Sequence, residues 1–268
     1  MSDSNGHMDG LYRVRARLAP PLRPNEEVIA AYRHLLARRT ARVLLLGVTP
    51  ALADIGAEVE AVDDSEAAIA RGWPGDTERR RVQKANWLSL PFPARRFTAA
   101  VGDGALNSLG RLHDYPALFA EIERVVEPGG LFVTRVFARP AACEPVATVV
   151  KTALAGEIPV FSALKWRLAM ALVAESGEPE IAVQRIKAAF DRLFPDRAAL
   201  AAAARWEMAD IETIDVYAGS RTIYNFPTLA EIRATVPAGL GRMRVVPAGT
   251  YPLAERCPLL VFRRKVSR

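Results

Sequence analysis

The strongest constraint in the chain is a strand–helix rhythm between Arg42 and Phe137. Arg42 to Leu46 is rich in β-formers and does not alternate polar with apolar, the pattern of a strand covered on both faces. Further strands are expected at Glu58 to Val62, Arg81 to Ala85, Phe97 to Val101 and Leu131 to Phe137. Helix starts lie between them. Thr49-Pro50 places a hydroxyl cap before a proline at the first helical position, opening a short helix that stops near Gly56. Asp64 or Ser65 caps Glu66 to Arg71, and Tyr115 to Val126 is amphipathic and stops at Pro128-Gly129-Gly130. Such alternation gives a parallel, doubly wound sheet. Right-handed crossovers align the strand C-terminal ends along one edge, where these sheets bind ligands.

The flanks extend this core. After Pro20-Pro21-Leu22-Arg23-Pro24, Asn25 caps a helix running to about Arg38. From Ala141 to Ala204 the periodicity turns helical, with three or four helices expected and Glu178 to Phe194 the clearest. Strand-like segments return at Thr213 to Tyr217 and Thr222 to Tyr224, a capped helix at Thr228 to Thr235, and two last strands at Met243 to Val246 and Leu259 to Arg263. The expectation is an α/β fold with a seven-stranded, mostly parallel sheet, an antiparallel last strand, and a helical insertion between the fifth and sixth strands. Its divisions are 1–40, an N-terminal arm and lid helix; 41–138, the core; 139–226, a mainly helical insertion or lid; and 227–268, the strands that complete the sheet.

Composition removes several function classes. Among the 268 residues no apolar run approaches the roughly 18 that a membrane span needs, and Met1 to Gly10 lacks the apolar centre of a signal peptide. With two distant cysteines, Cys143 and Cys257, read as thiols, the expected location is cytoplasmic. His7, His34 and His113 stand at no metal-ligand spacing, so no metal site is expected. The net charge of +6 is carried by dispersed arginines, with five lysines, and nucleic-acid surfaces cluster their cations among aromatics. The arginine and alanine bias is read as that of a GC-rich genome, and a bacterial source is expected.

Three segments at strand ends carry chemistry: Leu45-Leu46-Gly47-Val48-Thr49-Pro50, Ala61-Val62-Asp63-Asp64-Ser65 and Asn86-Trp87-Leu88-Ser89-Leu90-Pro91-Phe92. A glycine admits a ligand close to the backbone. An exposed helix start offers N–H donors to a carboxylate. An acidic side chain after the second strand can accept both hydroxyls of a ribose. With the stretch from Asn86 to Gly130, in which a polar residue precedes "LPF" and "ERVVEPGG" precedes the fifth strand, the chain resembles the class I S-adenosylmethionine-dependent methyltransferases. The resemblance covers Arg42 to Phe137 and extends more weakly to the last two strands.

The resemblance implies S-adenosylmethionine as cofactor and S-adenosylhomocysteine as product. By position, Asp63 would bind the ribose hydroxyls with Asp64 beside it. Asn86 takes the place of the usual aspartate facing the adenine amine, and Trp87 or Leu88 would lie near the adenine ring. Gly47 and Thr49 would face the methionine part, and Asp103 and Gly104 would lie beneath the sulfonium. Tyr32, Asn107, Arg135 and Tyr224 are candidate substrate contacts, and no catalytic residue is assigned. Two departures stand out. The family's glycine-rich loop is reduced to Gly47, and Thr98 replaces an acidic residue early in the fourth strand.

The expected function is methyl transfer to a small-molecule acceptor. A sulfonium methyl is already activated, so alignment and exclusion of water can supply most of the acceleration. The arginines near the lid elements suggest an anionic acceptor. The alternative is a non-catalytic binding or regulatory protein on a degenerate methyltransferase fold. A nicotinamide oxidoreductase is disfavoured because G-x-G-x-x-G is absent. Neither a membrane nor a nucleic-acid partner is expected, and a homodimer is compatible with the sequence.

Overall fold

The structure of the chain, a computed structural model, describes residues 4–37 and 39–266. Seven strands form the main sheet: β1 (Arg42–Leu46), β2 (Glu58–Asp63), β3 (Arg80–Lys84), β4 (Phe97–Asp103), β5 (Val126–Arg135), β8 (Arg244–Val246) and β9 (Leu259–Arg263). Their order is β3-β2-β1-β4-β5-β9-β8, with β1 to β5 parallel and β9 antiparallel to both β5 and β8. The order reverses at β1, whose neighbours are β2 and β4, so a crevice opens beyond the ends of these three strands. The pairing of Leu46 with Val62 and Gly102 brings Gly47, Asp63 and Asp103 to the same edge.

Side-chain alternation divides the core into two layers. Val43, Leu45, Val59, Ala61, Ala99, Val101 and Val133 face one side, with helix α2 (Glu26–Leu36) and the inserted helices. Leu44, Leu46, Val62, Ala100, Phe132, Leu260 and Phe262 face the other, with α4 (Ala105–Ser108), α5 (Tyr115–Val125) and α11 (Leu229–Thr235). Because β1 is covered on both sides, its residues from Val43 to Leu46 are all but inaccessible. Thr98, at the start of β4, fastens that strand to β1 by donating to the Arg42 carbonyl at 2.9 Å.

The insertion consists of α6 (Val146–Leu154), α7 (Phe161–Ser176), α8 (Val183–Leu193), α9 (Arg197–Ala204) and α10 (Met208–Ile211), with β6 (Glu180–Ala182) pairing antiparallel to β7 (Ile223–Asn225) outside the main sheet. The segment expected as a strand at Thr213 to Tyr217 is a 3-10 helix over Glu212–Tyr217. Its buried residues Thr213, Ile214 and Tyr217 recur at i, i+1 and i+4, a helical spacing that β-branching obscured. The clearest expected helix, from Glu178, begins only at Val183, because Glu180–Ala182 is taken into strand pairing.

Two N-terminal expectations are also corrected. The helix capped by Asn25, expected as a lid, lies in the core: Val28, Tyr32 and Leu36 are fully buried, and α2 stops at Leu36. Covering falls instead to α1 (Ser4–Arg13), which packs against α3 (Glu66–Gly72). Both cysteines are free thiols. No helix among the described residues is long and apolar enough to cross a membrane.

Candidate functional site

A cavity of about 390 Å³ lies at the strand edge between β1, β2 and β4. Its floor and one wall are Gly47 to Pro50, Asp63 to Ser65, Asn86 to Leu88, and Asp103 with Ala105. Its roof is the N-terminal segment, through His7, Met8, Leu11, Tyr12 and Arg15. The far wall carries Ser108, Leu109, Thr222 and Tyr224.

Asp63 ends β2 and is 8 % exposed. Its Oδ1 accepts the Ser65 N–H at 2.9 Å. Ser65 in turn caps α3, its hydroxyl accepting the Ala68 N–H at 3.2 Å. Burial pushes the Asp63 carboxyl up to about 6, against backbone N–H groups of Ser65 and Val48 that favour the ionised form. A carboxylate held this way is a strong hydrogen-bond acceptor for a pair of hydroxyls. Gly47 sits against it at φ +86°, a conformation that disfavours any side chain. A Cβ there would lie 3.7 Å from Asp63 Oδ2 and 3.6 Å from Trp87 Cζ2.

Trp87 is fixed by its indole N–H, which donates to the Val62 carbonyl at 2.8 Å. Asn86 Oδ1 accepts the Leu88 N–H at 2.9 Å, closing the turn that follows β3. Leu88 packs against the apolar layer on the α5 side while also lining the cavity. Gly47, Thr49, Asp63, Asp64, Asn86, Trp87, Leu88 and Asp103 therefore share one cavity. Gly104 lies just beneath it as the residue before α4; its φ is +69°, and an added Cβ would meet the Phe137 ring at 2.9 Å.

The four expected substrate contacts divide. Tyr224 lines the cavity, and its hydroxyl lies 2.9 Å from His7 Nε2. Tyr32, Asn107 and Arg135 do not reach it, because each satisfies buried backbone or charge. The Tyr32 hydroxyl donates to the Gly102 carbonyl at 2.6 Å and accepts the Arg135 N–H at 2.8 Å, bridging β4 and β5 beneath the edge. Asn107 Nδ2 donates to the carbonyls of Phe137 and Asn225 at 2.9 and 2.7 Å, tying the insertion to the core. Arg135 is fully buried and forks onto Asp103, with Nε–Oδ1 at 2.6 Å and Nη2–Oδ2 at 3.0 Å. Burial alone would lower its pKa, but Asp103 outweighs burial and holds the guanidinium firmly charged. Asp103 thus reaches the cavity as one half of a neutralised pair.

The roof was missed in the sequence. Ser4–Arg13 is polar and contains two glycines, so no apolar stripe announces a helix. The available signal was the spacing of His7, Met8, Leu11, Tyr12 and Arg15, which is that of one helical face. The His7 ring is 2 % exposed and lies 5.5 Å from the Tyr217 ring and 5.7 Å from the Tyr224 ring. The Tyr12 hydroxyl donates to the Val48 carbonyl at 2.5 Å, fastening the roof to the loop after β1. Burial pushes that phenol up to about 12, so it remains a neutral donor.

Residues 47–134 match the family model for a methyltransferase domain. No curated protein matches the chain in sequence. Among solved structures, one similar fold is an S-adenosylmethionine-dependent methyltransferase from Methanosarcina mazei, 14% identical over 93% of this chain and 99% of that one, with a TM-score of 0.50. A second, from Mesorhizobium loti, is 16% identical over 90% and 99% of the two chains, also at 0.50. A third, described as a putative zinc-dependent alcohol dehydrogenase from Rhodobacter sphaeroides, is 14% identical over 99% and 100%, at 0.55. At these identities the structures speak for the fold alone, and their differing names show how little a fold says of chemistry. The family match falls on the segment that builds the cavity's floor, from Gly47 through the ends of β2 and β4 to Thr134. By that match residues 47–134 are similar to a methyltransferase domain, and the sheet they build is the one whose edge carries the cavity.

Proposed function

We propose that the chain methylates a small organic acceptor inside the roofed cavity, and that positioning supplies most of the catalysis. The carrying observation is the partial roof: α1 lines one side of the crevice over Gly47 and Asp63, leaving a half-open cavity of about 390 Å³, within the roughly 300–1,000 Å³ of small-molecule sites. The cofactor supplies an activated methyl group on a sulfonium.

The residues present fit that cofactor. Asp63 would accept the ribose hydroxyls, Trp87 and Leu88 would offer apolar surface to the adenine, and Gly47 would leave room for close backbone approach. Met8, Leu11, Leu109 and Tyr224 line the same cavity as Asp103, and their largely apolar surface supports a small organic acceptor. In this space the protein's tasks are to align the acceptor and keep water out. The Tyr224 hydroxyl and His7 Nε2 offer a place for the acceptor's proton to go, should the nucleophile carry one.

The test is to incubate the protein with methyl-labelled S-adenosylmethionine and, separately, with pooled small metabolites, RNA, DNA and protein. Label is expected in the small-molecule fraction. Label that appears only on a polymer would overturn the reading.

A further inference from the structure

We infer that Arg15, assisted by Arg23, anchors the carboxylate of the cofactor's amino-acid part, in place of the glycine-rich loop that this chain lacks. The inference rests on the cofactor reading above and deepens it.

The loop after β1 has few donors left for an anion. The Gly47 N–H donates to the Val62 carbonyl at 2.8 Å, and the Val48 N–H is turned to Asp63. Pro50 has no N–H. The Leu52 N–H donates to the Thr49 carbonyl at 2.8 Å and the Ala53 N–H to the Pro50 carbonyl at 3.2 Å. The expected helix start at Thr49-Pro50 is a single 3-10 turn, Pro50–Leu52, and the Thr49 side chain caps nothing. Of the N–H groups from Gly47 to Ala53, this leaves those of Thr49 and Ala51.

Positive charge arrives from the roof instead. Arg15 follows α1 in the 3-10 turn Arg15–Arg17, three residues after the Tyr12 that holds the Val48 carbonyl. Arg15 and Arg23 line the same cavity as Val48, Thr49 and Pro50. Arg17, Arg80, Arg96, Arg124, Arg135, Arg139, Arg167, Arg197 and Arg256 each have a carboxylate partner. Among the described residues, no carboxylate lies within ion-pair distance of Arg15 or Arg23. Burial, and then repulsion from Arg23, lowers the pKa of Arg15. Two neighbouring guanidinium groups, one half-buried, leave uncompensated charge that a bound anion would relieve. A carboxylate suits them, since it can accept two parallel N–H bonds from one guanidinium.

The experiment compares S-adenosylhomocysteine with 5′-methylthioadenosine, which keeps the nucleoside and thioether but has no amino-acid part. Both are titrated calorimetrically into the wild-type protein, Arg15→Ala, Arg15→Lys and Arg23→Ala, with each variant's Tm checked. Arg15→Ala is expected to weaken S-adenosylhomocysteine about tenfold or more, the worth of a charged hydrogen-bonded pair, and methylthioadenosine by less than about twofold. Arg15→Lys falls between, keeping the charge but not the fork, and Arg23→Ala loses less than Arg15→Ala. Equal losses on both ligands would overturn the inference by showing that Arg15 only supports the roof. Unchanged S-adenosylhomocysteine affinity would overturn it by leaving the arginines to an anion on the acceptor. A folded wild-type protein that binds neither ligand would overturn the cofactor reading as well.

Discussion

Asp63 is the residue at which the proposed function and stability pull apart. Its folded carboxyl sits at about 6, pushed up by burial, while an unfolded aspartate titrates near 3.9. Between about pH 4 and pH 6 the folded state therefore holds more protons than the unfolded state, and stability falls as pH rises through that window. At pH 7 the ionised group costs the free protein up to about 2–3 kcal/mol. Asp63→Asn is expected to melt higher than wild type at pH 7, with the difference shrinking towards pH 4, and to bind the cofactor more weakly. Thermal melts at several pH values check this; a variant less stable at pH 7 would contradict it. The place of Asp63 and Gly47 at the strand edge was legible in the sequence, because it follows directly from where strands end. Tyr32, Asn107 and Arg135 were misread as substrate contacts for a shared reason. A polar residue near a ligand edge looks functional until its buried partner is known, and those partners lie 30 to 118 residues away.

At the scale of elements, the sheet was readable and the roof was not. Strands covered on both faces betray themselves by continuous apolar character, as Val43 to Leu46 do. Helix α1 is held by its neighbours, through Tyr12 against Val48 and through the Arg71–Asp9 ion pair to α3, so its own sequence carries little helical signal. Gly72, the last residue of α3, tests this docking. A Cβ there would lie 2.3 Å from the Tyr12 ring and hydroxyl. A helical glycine-to-alanine change ordinarily stabilises by about 0.5–1 kcal/mol. Gly72→Ala is expected to do the reverse, lowering Tm and weakening S-adenosylhomocysteine binding together, because Tyr12 must leave the Val48 carbonyl. A higher Tm with unchanged affinity would show that α1 does not depend on this contact.

On the scale of the whole molecule, three stretches distant in sequence converge on one chamber: the roof from residues 7–24, the floor from residues 46–105, and the far wall from Ser108, Leu109 and the insertion's Thr222 and Tyr224. The insertion is tied to the floor by a buried network. Asn225 Nδ2 donates to the Leu106 carbonyl at 3.1 Å and its Oδ1 accepts from the Tyr115 hydroxyl. Such long-range ties left no trace in local periodicity, which is why the insertion could be placed in order but not in space. A ligand that bridges these parts binds only the folded chain. At about 100 times its dissociation constant it adds about 2.7 kcal/mol of stability, a rise in Tm of roughly 5–10 °C for a chain of this size.

Calorimetric titration of S-adenosylhomocysteine into the wild-type protein and into Asp63→Ala tests the cofactor site most directly. One saturable site in the wild type that is lost in the folded variant is the expected result. A variant that binds as tightly as the wild type, or a folded wild type that binds no sulfur nucleoside, would contradict the assignment of Asp63 and of the cavity it faces.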